Sequence, residues 1–257
     1  MGERGGRYRD ADEGSLSVLR AQLLLAPRIS IVIPVYNEEA IIASAAADLI
    51  AGLDTRKLDY EVIFAENGSR DRTPQILEEL VATNPRLRWF HNETPNYGSA
   101  LKRGILEARG QIVICDEIDL CDLTFYDAAL PRLEHVDMVV GSKAARGASD
   151  ERPFVRRLAT WSLNKTLRVT LGFMGTDTHG LKAFRRQALL PVLEKCGADM
   201  DVFASEFVIR AWQSVRVEEI PIQLHEKRRP SIHLFKRVPN VLKQVGRLVY
   251  VIRVKGE

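Results

Sequence analysis

Ile29-Ser30-Ile31-Val32-Ile33-Pro34-Val35-Tyr36, followed at once by Asn37-Glu38-Glu39, decides the fold. An almost unbroken apolar run of this length reads as a strand covered on both faces, and it stops at polar groups able to receive a ligand. The layout recurs. Tyr60 to Phe64 runs into Ala65-Glu66-Asn67-Gly68-Ser69, and Gln111 to Cys115 runs into Asp116-Glu117-Ile118-Asp119. In open α/β sheets ligands sit at the carboxyl ends of the strands, so three such ends predict one shared site.

Between these strands lie helical patterns: Ile41, Ile42, Ala45, Ala46, Leu49 and Ile50; then Ile76, Leu77, Leu80 and Val81; then roughly Ser99 to Ala108. Thr73-Pro74 reads as an N-cap with proline at the first helical position. Val136 to Val140 is a further strand that closes at Gly141-Ser142-Lys143. Strands alternating with helices predict an α/β fold with a Rossmann-like, mainly parallel sheet flanked by helices. The later part is less regular: helices over Arg156 to Leu171, Gln187 to Lys195 and Val202 to Trp212, a polar turn at Thr176 to Gly180, and an edge or antiparallel strand over Val215 to Ile222. No internal repeat of fixed period is visible.

A chain of 257 residues, 46% of them hydrophobic, suffices for one large core. Three segments are expected: an N-terminal extension over 1–28 whose first 14 residues have nothing to bury and read as disordered, a catalytic domain over 29–225, and a basic amphipathic helix over 226–257. A formal charge of only +3 gives no case for nucleic acid. In the last segment Leu234, Val238, Val241, Leu242, Val245, Leu248 and Val249 share one helical face with cations opposite, so this helix packs on the core, pairs with a second subunit as a homo-oligomer contact, or lies on a membrane surface. Cys115, Cys121 and Cys196 match neither a zinc spacing nor a disulfide framework and read as packing residues. No apolar stretch approaches the ~20 residues of a spanning helix, and the expected location is cytoplasmic with peripheral membrane contact.

Glu117 and Asp119 carry the chemistry. On an extended segment residues two apart face the same side, so both carboxylates can meet one cation. Two hard oxygen ligands completed by phosphate oxygens and water suit Mg2+ or Mn2+. Asp116 is a further ligand or a supporting partner, and Asp122 a ligand or a helix cap. Arg156, Arg157, Lys182, Arg185 and the triplet Lys227-Arg228-Arg229 are candidates for binding a phosphate group. A phosphate oxygen that reacts needs no general base; a hydroxyl does, with Asp177, His179 and Glu206 as the places for it.

Taken together, Val-Ile-Pro-Val-Tyr-Asn-Glu-Glu, Glu66-Asn67-Gly68-Ser69-Arg70-Asp71-Arg72-Thr73, Asn96-Tyr97-Gly98-Ser99-Ala100 and Glu117-Ile118-Asp119-Leu120 resemble family 2 glycosyltransferases of the GT-A fold. The subgroup most similar is the dolichol- or polyprenyl-phosphate sugar synthases, whose later pattern is echoed by Gly141-Ser142-Lys143, Arg156-Arg157 and Asp177 to Arg185. The resemblance spans about residues 29 to 225. It implies a metal-dependent, inverting transfer of a sugar from a nucleoside diphosphate donor to a polyprenyl (lipid) phosphate, with a soluble hydroxyl acceptor as the alternative. It also implies that Pro34, Tyr36 and Glu38 bound the base and ribose pocket, that Glu66, Asn67, Ser69 and Asp116 line the nucleotide, and that Glu117 and Asp119 hold metal and diphosphate. Two departures stand out: Glu66-Asn67 replaces the usual acidic pair, and Glu-x-Asp the usual Asp-x-Asp. They motivate a reading of another class, a sugar-nucleotide-binding module without catalysis.

Overall fold

The structure, a computed structural model, describes residues 27–143, 145, 154–197, 202–222, 243 and 245–255; of 154–160 and 163 it describes the backbone. Residues 1–26 of the N-terminal extension, the Lys227-Arg228-Arg229 triplet and the side chains of Arg156 and Arg157 lie outside the described residues.

The chain runs β1 (Ile29–Val35), α1 (Ile42–Thr55), β2 (Tyr60–Glu66), α2 (Thr73–Thr83), β3 (Leu87–His91), α3 (Tyr97–Glu107), β4 (Ile112–Cys115), α4 (Leu123–Arg132), β5 (Met138–Ser142), α5 (Phe154–Leu171), β6 (Lys182–Arg185), α6 (Arg186–Glu194), α7 (Phe203–Ser214) and β7 (Val217–Pro221). A C-terminal helix over 245–255 ends in a π-helical stretch, Tyr250–Lys255. The strands form one seven-stranded sheet in the order β3-β2-β1-β4-β6-β5-β7. β6 runs antiparallel to both of its neighbours, and the other pairings are parallel. Val215 to Ile222 therefore supplies an edge strand, and it is parallel to β5.

The apolar run of β1 is explained by its two covered faces. Ile29, Ile31, Ile33 and Val35 join a cluster with α1, Phe64 of β2, Leu77 of α2 and Phe125 of α4, whereas Val32 points into the opposite cluster, built with α3, α6, α7 and Leu248 of the C-terminal helix. With both faces apolar, the alternation that marks a half-solvated strand has no reason to appear. The described part of the C-terminal helix, 245–255, buries Leu248 and Val251 within the chain, whereas Leu234, Val238, Val241 and Leu242 lie outside the described residues. The buried cysteines, Cys115 and Cys196, are free and packed, and Cys121 is half-buried.

Register sets the site. Val35 pairs with Glu66, while Cys115 pairs with Val32 on one side and Lys182 on the other. Asp116 N–H donates to the Val32 carbonyl at 3.1 Å, so the residues after it pass beside Pro34 and Tyr36. β6 brings Lys182 to this same edge and carries Arg185 three residues away toward the start of β4, opposite Ile112. The close approach of β5 to the turn before β6 demands Gly180, because a Cβ there would lie 1.7 Å from the Gly141 carbonyl oxygen.

Candidate active site

The loops after β1 and β2 are stitched side chain to backbone. Asn37 N–H donates to Ser69 Oγ (2.8 Å), Glu38 N–H to Thr73 Oγ1 (2.9 Å) and Glu39 N–H to Asp71 Oδ2 (3.1 Å). In return Arg70 N–H donates to Asn37 Oδ1 (2.8 Å) and Arg72 N–H to Glu39 Oε2 (2.9 Å). Asn37 sits at φ 55°, in the left-handed region that asparagine tolerates well among side-chain-bearing residues. Thr73 is thus not the side-chain cap of α2: its hydroxyl accepts from Glu38 N–H and donates to Asp71 Oδ1, which also accepts from Thr73 N–H.

This stitching sorts the predicted nucleotide residues. Tyr36 is 42% exposed, and Pro34 and Glu38 are half-buried, so these three face the cleft edge. Glu66 is fully buried; Oε1 accepts from Ser69 N–H at 2.6 Å and Oε2 contacts His91 Nδ1. It shapes the loop from inside and presents no carboxylate to a ligand. Ser69 likewise gives its hydroxyl to Asn37 N–H. Asn67, nearly buried, accepts from Asn96 N–H at 2.6 Å, and Asn96 in turn caps α3 by accepting from Ser99 N–H at 3.0 Å.

Asp116 is buried as well, with Oδ2 accepting from Tyr126 Oη–H (2.7 Å) and Oδ1 from Glu117 N–H (2.6 Å). Burial pushes its pKa up to about 7, although both hydrogen bonds favour the charged form. It supports the turn from beneath and is removed from the ligand surface. Asp122 caps α4, accepting from Thr124 N–H (2.9 Å) and Phe125 N–H (3.2 Å).

Glu117 and Asp119 remain as half-buried carboxylates at the edge. Burial raises the Glu117 pKa; the Lys143 charge opposes this, Asp119 and Asp177 add to it, and Lys182 opposes it. Five charged groups from three strand ends and one turn therefore converge. Lys182, fully buried with its Nζ donating to the Gly180 carbonyl at 2.6 Å, has its pKa lowered by burial while Cys115, Asp177 and Glu117 resist the fall. Cys115 below it is pushed up to about 12 by burial. Tyr97 at the start of α3 closes the other side; burial and then the Glu117 charge raise its hydroxyl.

Two acceptor-phosphate candidates are displaced. Arg185 pairs with Asp137 at 2.6 Å at the far edge of the sheet, and Lys182 lies under the carboxylates instead of at the surface. Glu206, a possible base by sequence, is buried on α7 with its Oε1 accepting from Arg210 Nε (2.7 Å) and Gly197 N–H (3.2 Å). Lys143 and Tyr97 had no assigned role. For Lys143 a signal existed: it follows β5 directly, the same strand-then-polar pattern that singled out Glu117.

The set fits a hard divalent cation. Among the described residues no three or more His, Cys, Asp or Glu side chains are grouped so that they could hold a metal ion by themselves. Two carboxylates that leave the other positions to phosphate oxygens and water are what Mg2+ accepts in place of an all-protein cage.

Comparison with known proteins agrees with this geometry. The profile described as Glycosyl transferase family 2 matches residues 30–190. Haloferax volcanii glycosyltransferase AglD is 26% identical over 238 residues, 88% of this chain and 38% of that protein, and the dolichyl-phosphate hexose transferase of the same organism is 28% identical over 208 residues, 77% and 83%. An undecaprenyl-phosphate 4-deoxy-4-formamido-L-arabinose transferase of Aeromonas hydrophila is 30% identical over 169 residues, 63% and 50%. The chain thus spans half or less of the length of two of these three relatives. In fold it is similar to Mycobacterium tuberculosis glucosyl-3-phosphoglycerate synthase, solved with Mn2+, UDP and glucosyl-3-phosphoglycerate (TM-score 0.60, 22% identity, 97% and 85% covered), and to residues 1–349 of Staphylococcus aureus TarS (0.54, 19%, 87% and 64%). With its family profile matched over more than half its length and its sheet order set by the same strand ends that gather the acids, the chain belongs to glycosyl transferase family 2 and has the GT-A fold.

Proposed function

We propose that this chain transfers a sugar from a nucleoside diphosphate to a polyprenyl phosphate, with inversion and with Mg2+ or Mn2+ bound by Glu117 and Asp119. The observation that supports the reading is the paired carboxylates at the β4 end, with Lys143 and Lys182 within electrostatic reach of Glu117. Tyr36, Pro34 and Glu38, which stay accessible after β1, would border the nucleoside, and Asn67 with Asn96 would hold the loop beside it. When bound, the cation neutralises the departing diphosphate.

In a direct displacement the acceptor oxygen bonds to the anomeric carbon as the carbon–oxygen bond to the diphosphate breaks, and the electron pair leaves with the diphosphate. A phosphate oxygen is already an anion, so no side chain has to take a proton. Lys143, whose charge reaches Glu117, would meet it, and Arg156 and Arg157 lie on α5, which leads from β5 toward the Asp177 turn. The relatives' names supply the acceptor class: two of them act on dolichyl or undecaprenyl phosphate. Peripheral membrane contact fits the outer faces of α5 and the C-terminal helix. Trp161, Val169, Tyr250 and Val254 are more than half exposed there, beside Lys165, Arg168 and Arg253. Among the described residues no helix is long and apolar enough to cross a membrane.

The hydroxyl acceptor is favoured by one observation. Asp177 is a half-buried carboxylate within electrostatic reach of Glu117, which supports its reading as a base for a hydroxyl acceptor. Nucleotide-sugars incubated with Mn2+ and either a polyprenyl phosphate or a sugar alcohol decide among the readings. Transfer to the lipid is expected; transfer to the alcohol alone overturns the lipid acceptor. Donor that binds and stays intact under all conditions leaves only the binding module.

A further inference from the structure

The turn that carries Asp177 takes more of its hydrogen bonds from one residue outside the site than from any other. Glu219, on the edge strand β7 and paired with Val140 of β5, accepts three hydrogen bonds from it: Thr176 N–H to Oε1 at 2.7 Å, Asp177 N–H to Oε1 at 3.2 Å and Thr176 Oγ1–H to Oε2 at 2.8 Å. Thr176 is then saturated, because its hydroxyl also meets Ser142 Oγ at 2.7 Å and its carbonyl accepts from Asn164 Nδ2 of α5 at 2.6 Å. The turn is shaped to admit this carboxylate, since a Cβ at Gly175 would lie 2.7 Å from Glu219 Oε1. Asp177 Oδ1 closes the turn by accepting from His179 N–H at 2.8 Å.

An acid on an edge strand is ordinarily solvated. Here its acceptor capacity is directed at two consecutive amides and a hydroxyl that has no other route to β7. The three elements meeting at Thr176 are those that border the acceptor side: the β5 end next to Lys143, the middle of α5, and the Asp177 turn.

Building on the proposed sugar transfer, we propose that Glu219 is a positioning residue, fixing the Asp177 turn and, through Thr176, its register against β5 and α5, and so setting the acceptor half of the site without touching either substrate. The role is geometric, so it needs an acceptor atom for the two amides and does not need the charge. A glutamine keeps Oε1 for both amides and turns Nε2 to a hydroxyl that can accept from it while donating to Ser142.

The test pairs E219A with E219Q and adds D177A and the double variant D177A/E219A, with lipid-phosphate transfer, nucleoside diphosphate affinity and amide exchange read in each. A misplaced catalytic half costs up to about 100-fold, so E219A is expected to lose roughly 10- to 100-fold in transfer with nucleotide affinity unchanged. E219Q is expected within about fivefold of the parent, the worth of one ordinary hydrogen bond. The double variant is expected to be no worse than D177A, because both act on one turn. Amide exchange at Thr176 and Asp177 should quicken in E219A while β2 stays protected, which separates loosening of the turn from general unfolding. Native transfer by E219A, a loss in E219Q as deep as in E219A, or multiplicative losses in the double variant would each overturn the positioning role. Absence of transfer by the parent protein overturns the proposed function instead, and the exchange arm then still decides whether Glu219 holds the turn.

Discussion

The donor side and the acceptor side of this site are held in different ways. Around the nucleotide loops, five hydrogen bonds between side chains and backbone amides run in both directions between residues 37–39 and 69–73, each contributed by a different side chain. Around the acceptor turn, one carboxylate takes three bonds. The first arrangement is redundant, and a single loss leaves four links. In the second, Glu219 takes three of the bonds, with one each from Ser142 and Asn164 to Thr176 and a close contact at Gly180. Donor-side substitutions should therefore act through binding and in small steps, and acceptor-side substitutions through geometry and in large ones.

The largest expected effect lies at the seam between the two. Asp119→Ala removes one of the two carboxylates proposed to hold the cation, and stabilisation of the leaving diphosphate by a metal is worth several kcal/mol, about a thousandfold in rate. Metal-dependent turnover should collapse to that extent while circular dichroism stays native, since a carboxylate at a strand end serves no packing role. Near-native turnover would remove the metal from this pair. Glu117→Asp should keep more activity than Glu117→Ala, because charge is retained with a shorter reach.

On the acceptor side, Gly180→Ala tests whether close packing sets the turn. A methyl group 1.7 Å from the Gly141 carbonyl cannot be accommodated by a side-chain rotation, so backbone must move. Overpacking of this kind costs about 1–3 kcal/mol or more, a fall of about 2–12 °C in melting temperature for a chain of this size. An unchanged melting temperature would show that β5 and the turn separate freely.

These two halves were unequally legible in the sequence. β1, β2 and β4 are covered on both faces, so each reads as an apolar run, and each ends at the site because parallel strands share a carboxyl edge. That logic pointed to Glu117, Asp119 and Tyr36, which stay accessible at this edge, and equally to Glu66 and Asp116, which the structure buries: a polar residue just past a strand is as well placed to turn inward, and the partners that draw these two in, His91 and Tyr126, belong to other elements. β6 escaped notice: four residues, Lys182–Arg185, with a buried lysine at the head, give no period to detect. Its antiparallel direction is what separates Lys182 from Arg185, two cations that looked equivalent as parts of one motif. Glu219 was invisible for a similar reason, since its meaning depends on a turn 43 residues away.

Within the donor half, Tyr36→Ala should weaken nucleoside diphosphate binding by about 1–2 kcal/mol and leave turnover at saturation nearly unchanged, because contacts to the base are the same in ground and transition states. Asn67→Ala should act less directly: the Asn96 amide loses its partner, and the start of α3 loosens. Calorimetry with free nucleotide reads both. Unchanged affinity in Tyr36→Ala would move the base elsewhere in the cleft.

The smallest effect tests redundancy itself. Asn37 combines a left-handed backbone with one of the five stitches, so its two contributions can be separated by two substitutions. Asn37→Gly keeps the backbone at no steric cost and loses only the bond to Arg70 N–H, an exposed amide that water can satisfy. Asn37→Ala loses the same bond and in addition places a Cβ in a conformation that costs about 1–2 kcal/mol. With four stitches remaining, the glycine variant should stay within about 0.5–1 kcal/mol of the parent in denaturant unfolding, and the alanine variant should be less stable than the glycine variant by about 1 kcal/mol. Nucleotide affinity should follow the same order by smaller increments. A glycine variant less stable than the alanine variant would show that the left-handed backbone at residue 37 does not favour glycine here, and a loss well above 1 kcal/mol in the glycine variant would show that the donor loops depend on single contacts.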